Sequence, residues 1–178
     1  MPDILQTRPT EWKYVSEGGA TIVFSYKGSS HSDFDGTVLR LRKAPVGTGS
    51  EIKTDFVATY SEDDPTIEFQ AKCMQRLIPP EHLPRLETVL LSRAWLEALV
   101  DLHDHFRPLS RRQKDQVDLT KGKGVLATDL VGGNWLAVEI KVKPLLPCMD
   151  WILIDITFHS RSGASCLRQC IYASKRRR

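Results

Sequence analysis

No run of about 18 apolar residues occurs in the 178-residue sequence, so no helical membrane span is expected. The first residues, Met1-Pro2-Asp3-Ile4-Leu5-Gln6, lack the basic region and apolar core of a secretory signal, which points to the cell interior, nucleus or cytoplasm. Cysteines are few: Cys73, Cys148, Cys166 and Cys170, read as reduced thiols in that compartment. Cys166 and Cys170 lie close together downstream of His159, but no second ligand pair follows at a zinc spacing, and no metal site is assigned. There is no internal repeat, and low complexity is confined to Lys175-Arg176-Arg177-Arg178. Acidic residues are missing from 161–178, which holds six basic ones; residues 1–160 therefore carry a net charge of −3, six below the +3 of the whole chain. Attraction to a polyanion must come from a local patch or from the basic end, because the body is mildly acidic. That end is read as a solvated tail, with only weak contact to nucleic acid.

What is present suits a soluble globular chain, with 41% hydrophobic and 26% charged residues. The organising stretch is Glu17-Gly18-Gly19-Ala20-Thr21 followed by Ile22-Val23-Phe24-Ser25-Tyr26, then, after a polar interval, Gly36-Thr37-Val38-Leu39-Arg40-Leu41-Arg42-Lys43. Small residues at Gly18, Gly19 and Ala20 leave backbone N–H groups open to a bulky anion. Alternation along the second run puts Val38, Arg40 and Arg42 on one face of a strand and Thr37, Leu39 and Leu41 on the other. A glycine turn, a hairpin and a cation projected from the second strand make a phosphate-binding design of the kind found in kinase nucleotide lobes.

Elsewhere, Trp12 and Tyr14 fit a short strand leading into the turn, and residues 27–35 are too polar to be buried. The spacing of Ile67, Phe69, Met74 and Leu77 suits a modest helix. Pro79, Pro80 and Pro84 predict turns over 78–86. Ser92 is a natural N-cap for the clearest helix, in which Trp95, Leu96, Leu99 and Leu102 recur at three- and four-residue intervals. The basic stretch 109–124 reads as an exposed loop. Residues 125–131 read as a strand, Gly132-Gly133-Asn134 as a turn, and 135–143 as its partner, with Glu139, Lys141 and Lys143 on one face and Val138, Ile140 and Val142 on the other.

Taken in order, Glu17-Gly18-Gly19-Ala20-Thr21, Val38-Leu39-Arg40-Leu41-Arg42-Lys43 and Glu139-Ile140-Lys141-Val142-Lys143 resemble the glycine loop, basic strand and later signature of the inositol-pentakisphosphate 2-kinases. The segment from Ile78 through Ser92 to Glu97 is similar to the family's connecting helix and its approach. The resemblance implies an α+β fold: a kinase-like amino-terminal lobe with a mostly antiparallel sheet and one or two helices, followed by a poorly ordered C-terminal tail. It implies a nucleotide-binding lobe over 1–143 and a tail without family character over 144–178.

The family transfers the γ-phosphate of ATP, with Mg²⁺, to the 2-hydroxyl of inositol pentakisphosphate. The resemblance gives Gly18, Gly19, Ala20 and Thr21 to the nucleotide phosphates and Arg40 to the position that kinases usually give to lysine. Asp129 and Glu139 fall near the adenine-side hinge, Lys141 near ATP, and Lys143, Arg107 and Arg111 near the inositol phosphate. Lys43 joins Arg40, Lys141 and Lys143 in a basic cluster. Two positions depart from the family's usual pattern: Thr21 stands for asparagine and Val142 for proline. The catalytic and metal-binding aspartates are expected in a second lobe beyond this chain; Asp155, in Ile154-Asp155-Ile156, is only an echo of the latter. A truncated or mis-spliced product with little turnover of its own is expected, the alternative being a non-catalytic nucleotide or inositol-phosphate binding module.

Overall fold

A computed structural model describes residues 1–47, 64–130, 137–144, 151–159 and 168–174, the last three ranges as backbone strands. The chain divides into two compact units, Met1–Asp129 and Leu130–Arg178, each described by itself.

The first unit is built on an antiparallel sheet. Its strands are β1 (Trp12–Glu17), β2 (Thr21–Tyr26), β3 (Thr37–Pro45), β4 (Leu86–Leu90), β5 (Asp115–Val117) and β6 (Lys123–Thr128). They run in the order β1-β2-β3-β6-β4, with β5 paired to the far end of β3. Its helices are α1 (Pro65–Lys72), α2 (Arg93–His103) and the single turn α3 (Leu109–Arg112). The fold is α+β, as the family resemblance implies.

Alternation along each strand decides which face is buried. Trp12, Ile22, Phe24, Leu39, Leu41, Val89 and Leu126 turn to one side, where α2 lays down Trp95, Leu96 and Leu99. Trp12 sits edge-on to Tyr26, Phe34 and Trp95, with centroids 5.3, 5.9 and 6.3 Å apart. Its indole N–H donates to Thr7 Oγ1 at 2.9 Å, and that of Trp95 to the Thr7 carbonyl at 3.0 Å. The N-terminal segment is thereby pinned under the aromatic cluster, and neither buried N–H is left without an acceptor.

Several local expectations change. Phe34, within the interval read as too polar to bury, is fully buried against Trp12, Tyr26 and His31. One aromatic in a polar run escapes a pattern based on periodicity. Residues 109–124 are not one loop: they form α3, β5 and the start of β6. Leu86–Leu90, which follows the predicted proline turns, is an edge strand paired to β6. β6 pairs with β3 and β4, not with the strand that follows it. Ser92 occupies the N-cap of α2, but its hydroxyl makes no capping bond. The helix is held by its buried apolar face. The proposed turn at 132–134 lies outside the described residues.

Gly28 is a packing constraint. A β-carbon there would touch Tyr26 Oη and lie 2.6 Å from Tyr26 Cζ and 2.9 Å from Glu11 Cδ. Tyr26 cannot easily yield, since its hydroxyl donates to the Ser29 carbonyl at 2.9 Å and its ring abuts Trp12. Gly28→Ala is expected to lower the unfolding free energy by about 1–3 kcal/mol, the cost of overpacking, seen as a lower urea midpoint at unchanged slope.

The second unit contains β7 (Ala137–Pro144), β8 (Trp151–His159) and β9 (Arg168–Ser174), an antiparallel sheet in that order. Strands β8 and β9 lie in the stretch expected to be a poorly ordered tail. The Lys143 boundary expected from the motifs falls inside β7.

Candidate functional site

The glycine turn closes the β1–β2 hairpin: Gly18 N–H donates to the Thr21 carbonyl at 2.9 Å. Neither Gly18 nor Gly19 has positive φ, and a β-carbon at either would meet nothing within 4 Å. Backbone conformation and internal packing therefore do not require glycine at these positions. Both positions are exposed, so the missing side chains leave the backbone of the turn open on its outer side.

Just before the turn, β1 carries a bulge. Tyr14 pairs with Phe24 and Ser16 with Val23, so Val15 is the extra residue and Glu17 comes opposite Ile22. Simple alternation from Trp12 and Tyr14 would send Glu17 to the outer face; the bulge turns it inward. There its carboxylate, 2% exposed, accepts from Lys43 Nζ at 3.2 Å and from Arg107 Nε and Nη2 at 3.3 and 3.0 Å. Lys43 also donates to Asp115 at 3.0 Å, and Arg107 to Asp104 at 2.9 Å and to the Asp115 carbonyl at 2.8 Å. Two cations and three carboxylates from four separate segments thus form one network under the hairpin.

This assigns Lys43 and Arg107 differently from the sequence reading. Lys43 shares the inward face of β3 with Leu39 and Leu41, and its side chain is 2% exposed. Arg107, expected at the inositol phosphate, is 3% exposed with its donors engaged inside the protein. Isolated from their partners both residues look like phosphate ligands; the burial that consumes them is tertiary.

On the outer face of β3 the two arginines divide. Arg42 makes a bidentate pair with Asp64 at 2.7 and 2.6 Å, and Asp64 caps α1 by accepting from Thr66 N–H at 2.8 Å. Arg40 lies opposite Val23 in β2 and Val125 in β6, two rungs from the Thr21–Arg42 pair beside the glycine turn, or about 7 Å along the strand. Among the described residues, no hydrogen bond or ion pair engages its guanidinium. Thr21 and Arg40 share this outer face, opposite the one that α2 covers. Arg111 is half-buried in α3, and its charge helps to lower the pKa of Asp115, after the larger effect of the Lys43 hydrogen bond.

Asp129 is buried at the end of the first unit. It accepts from Ser25 Oγ at 2.6 Å, lies 3.8 Å from Lys27 Nζ, and its N–H donates to the Gly36 carbonyl at 2.8 Å. Gly36, at φ +68°, adopts the left-handed conformation this turn needs. The boundary between the units falls directly after Asp129. Glu139, Lys141 and Lys143 occupy alternate positions of β7 in the second unit, with Lys141 in register with Asp155.

Burial alone would raise the Glu17 pKa, but the hydrogen bonds and charges of Arg107 and Lys43 outweigh it and hold it below the ordinary glutamate range. Asp64 behaves alike: desolvation is overcome by Arg42 and Thr66. In the window between the lowered folded values and the ordinary carboxylate values, the unfolded chain binds more protons. Stability is then complete above the ordinary values and falls as pH drops through the folded ones. Thermal unfolding is expected to be flat near neutrality and to decline in acid, with Glu17→Gln showing the shallower decline; equal slopes would contradict the assignment.

The profile for inositol-pentakisphosphate 2-kinase matches residues 14–175. The chain belongs to the inositol-pentakisphosphate 2-kinase family. It is 35% identical over 153 residues to the inositol-pentakisphosphate 2-kinase of Cryptococcus neoformans var. neoformans serotype D, covering 81% of this chain and 35% of that protein. It is 29% identical over 161 residues to the Arabidopsis thaliana enzyme of the same name, covering 75% of this chain and 36% of that one. This kinase-family chain therefore spans about a third of the length of the curated relatives it matches. The matched span runs beyond Lys143 through β8 and the whole of β9. No helix among the described residues is long and apolar enough to cross a membrane.

The network around Glu17 escaped the sequence reading. Its partner Arg107 and the further carboxylates Asp104 and Asp115 lie far along the chain, and the inward turn of Glu17 depends on a bulge that no periodicity reveals.

Proposed function

We propose that the first unit is the nucleotide-binding lobe of an enzyme that phosphorylates inositol pentakisphosphate at its 2-hydroxyl, giving inositol hexakisphosphate. The observation that carries this reading is Arg40. Of the three cations on β3, Arg42 and Lys43 are held by carboxylates, while Arg40 stands without a partner among the described residues, on the face beside a glycine turn that the fold itself does not require.

In the reaction the 2-hydroxyl oxygen attacks the γ-phosphorus of ATP, the bond to the β,γ-bridging oxygen breaks, ADP leaves, and the hydroxyl proton passes to a base. The chain's share is positioning and charge neutralisation, which dominate phosphoryl transfer. Backbone amides at Gly18, Gly19 and Ala20 would face the nucleotide phosphates, with Thr21 beside them. Arg40 would grip phosphate bidentately and keep its charge at any working pH. Within the first unit, Arg111 would serve the inositol phosphate and Asp129 would lie on the adenine side. Among the described residues no group of three His, Cys, Asp or Glu is arranged to hold a metal ion, so no step here is assigned to Mg²⁺. The base and the metal ligands belong to the remaining two-thirds of such an enzyme, and this chain alone holds ligand without appreciable turnover.

Two measurements test the proposal. Titration with a fluorescent ATP analogue is expected to saturate, with Gly18→Val weakening binding about tenfold or more while leaving thermal stability unchanged, since no neighbour meets a side chain there. Absence of saturable binding would overturn the nucleotide site. Incubation with ATP, Mg²⁺ and inositol pentakisphosphate is expected to give little inositol hexakisphosphate; rapid formation would overturn the assignment of catalysis to the missing portion.

A further inference from the structure

We infer that Glu17 is a positioning residue for the glycine turn, clamped from beneath by Lys43 and Arg107; this rests on the reading of that turn as a phosphate-binding loop. Gly18 and Gly19 have no side chains with which to anchor themselves, so the placement of their amides is set by the flanks. Lys43 holds both flanks. Its Nζ donates to Glu17 at 3.2 Å before the turn, and its backbone N–H donates to the Ala20 carbonyl at 3.1 Å after it. Arg107 adds a fork to the same carboxylate and, through the Asp115 carbonyl at 2.8 Å, ties it to the segment beside β3.

The site is costly to build. A carboxylate that could have faced water is turned inward by a bulge at Val15, where it must meet buried cations to be tolerated. Simple hairpin stability needs no such arrangement, as an apolar residue opposite Ile22 would continue the core at less desolvation cost. What the carboxylate adds is direction: a planar acceptor held by three donors fixes the strand end immediately before Gly18. Errors of about 1 Å in such placement can reduce rates or binding about a hundredfold.

The test uses the full 178-residue chain with three substitutions. Glu17→Gln removes the charge in place. Arg107→Lys keeps a charge but loses the fork, and is the second probe should Glu17→Gln fail to fold. Val89→Ala, in the buried face of β4 away from the loop, supplies a control for general destabilisation. Well below each unfolding midpoint, affinity for the fluorescent ATP analogue is expected to fall about tenfold to a hundredfold in Glu17→Gln and in Arg107→Lys, and to stay at the wild-type value in Val89→Ala. Amide hydrogen exchange of the free chain is expected to accelerate selectively at Gly18, Gly19 and Ala20 in the first two variants. Affinity and loop exchange no different from those of the control would overturn the inference. If the unmodified chain binds no nucleotide, the underlying reading fails, and the exchange measurement still decides whether Glu17 orders the turn.

Discussion

Arg107→Met is expected to lower the unfolding free energy by about 3–5 kcal/mol, the usual cost of removing one partner from a buried charge network. The guanidinium is 3% exposed and contacts Glu17, Asp104 and the Asp115 carbonyl. Without it Lys43 alone faces three carboxylates, two of which it already contacts. Methionine fills much of the volume, so the loss isolates charge and hydrogen bonding from cavity formation. Urea unfolding reads the effect directly; a change under about 1 kcal/mol would mean that water replaces the arginine without penalty. In a double-mutant cycle, Glu17→Gln is expected to cost less in the methionine background than in the native one, because the two residues share one network.

The second large effect is on binding. Arg40→Ala is expected to reduce affinity for the fluorescent ATP analogue about tenfold to a hundredfold, since hydrogen bonds to charged groups contribute about 1.5–3 kcal/mol. Stability should hardly change, because no ion pair or hydrogen bond to the guanidinium is lost among the described residues. Arg40→Lys should recover part of the affinity, as a point charge lacks the planar fork. Unaltered affinity in Arg40→Ala would remove the outer face of β3 from the site. Affinity lost together with several degrees of thermal stability would instead assign Arg40 a role in the fold. Arg42→Ala supplies the contrast: it breaks the bidentate pair that caps α1 through Asp64, and its primary effect is therefore on stability.

These two arginines show where sequence reasoning stops. Alternation along β3 correctly set Leu39 and Leu41 toward the core and Arg40 and Arg42 away from it, because side-chain direction in a strand follows from backbone geometry alone. It could not tell that Asp64, 22 residues from Arg42 in sequence, neutralises one and not the other. Arg107 makes the same point more strongly. Beside Pro108 and a cluster of basic residues it has the character of a surface anion ligand, and only its contact with Glu17, 90 residues away, shows that it is buried.

Local elements with a strong internal signal were legible. The helix bearing Trp95, Leu96 and Leu99 and the strands on either side of the glycine turn lie where periodicity puts them. Short elements were not: β4 and β5 have five and three residues, too few for a pattern to emerge, and they exist because β6 and β3 offer them unpaired backbone groups.

By itself the sequence determined the family, the α+β class, the glycine turn and the outward aim of Arg40, since each is written in neighbouring residues or in alternation along one strand. Only the tertiary structure decided which cations remain available to a phosphate. That choice depends on where distant carboxylates come to rest and on a single bulged residue, Val15, that turns Glu17 from solvent into the protein.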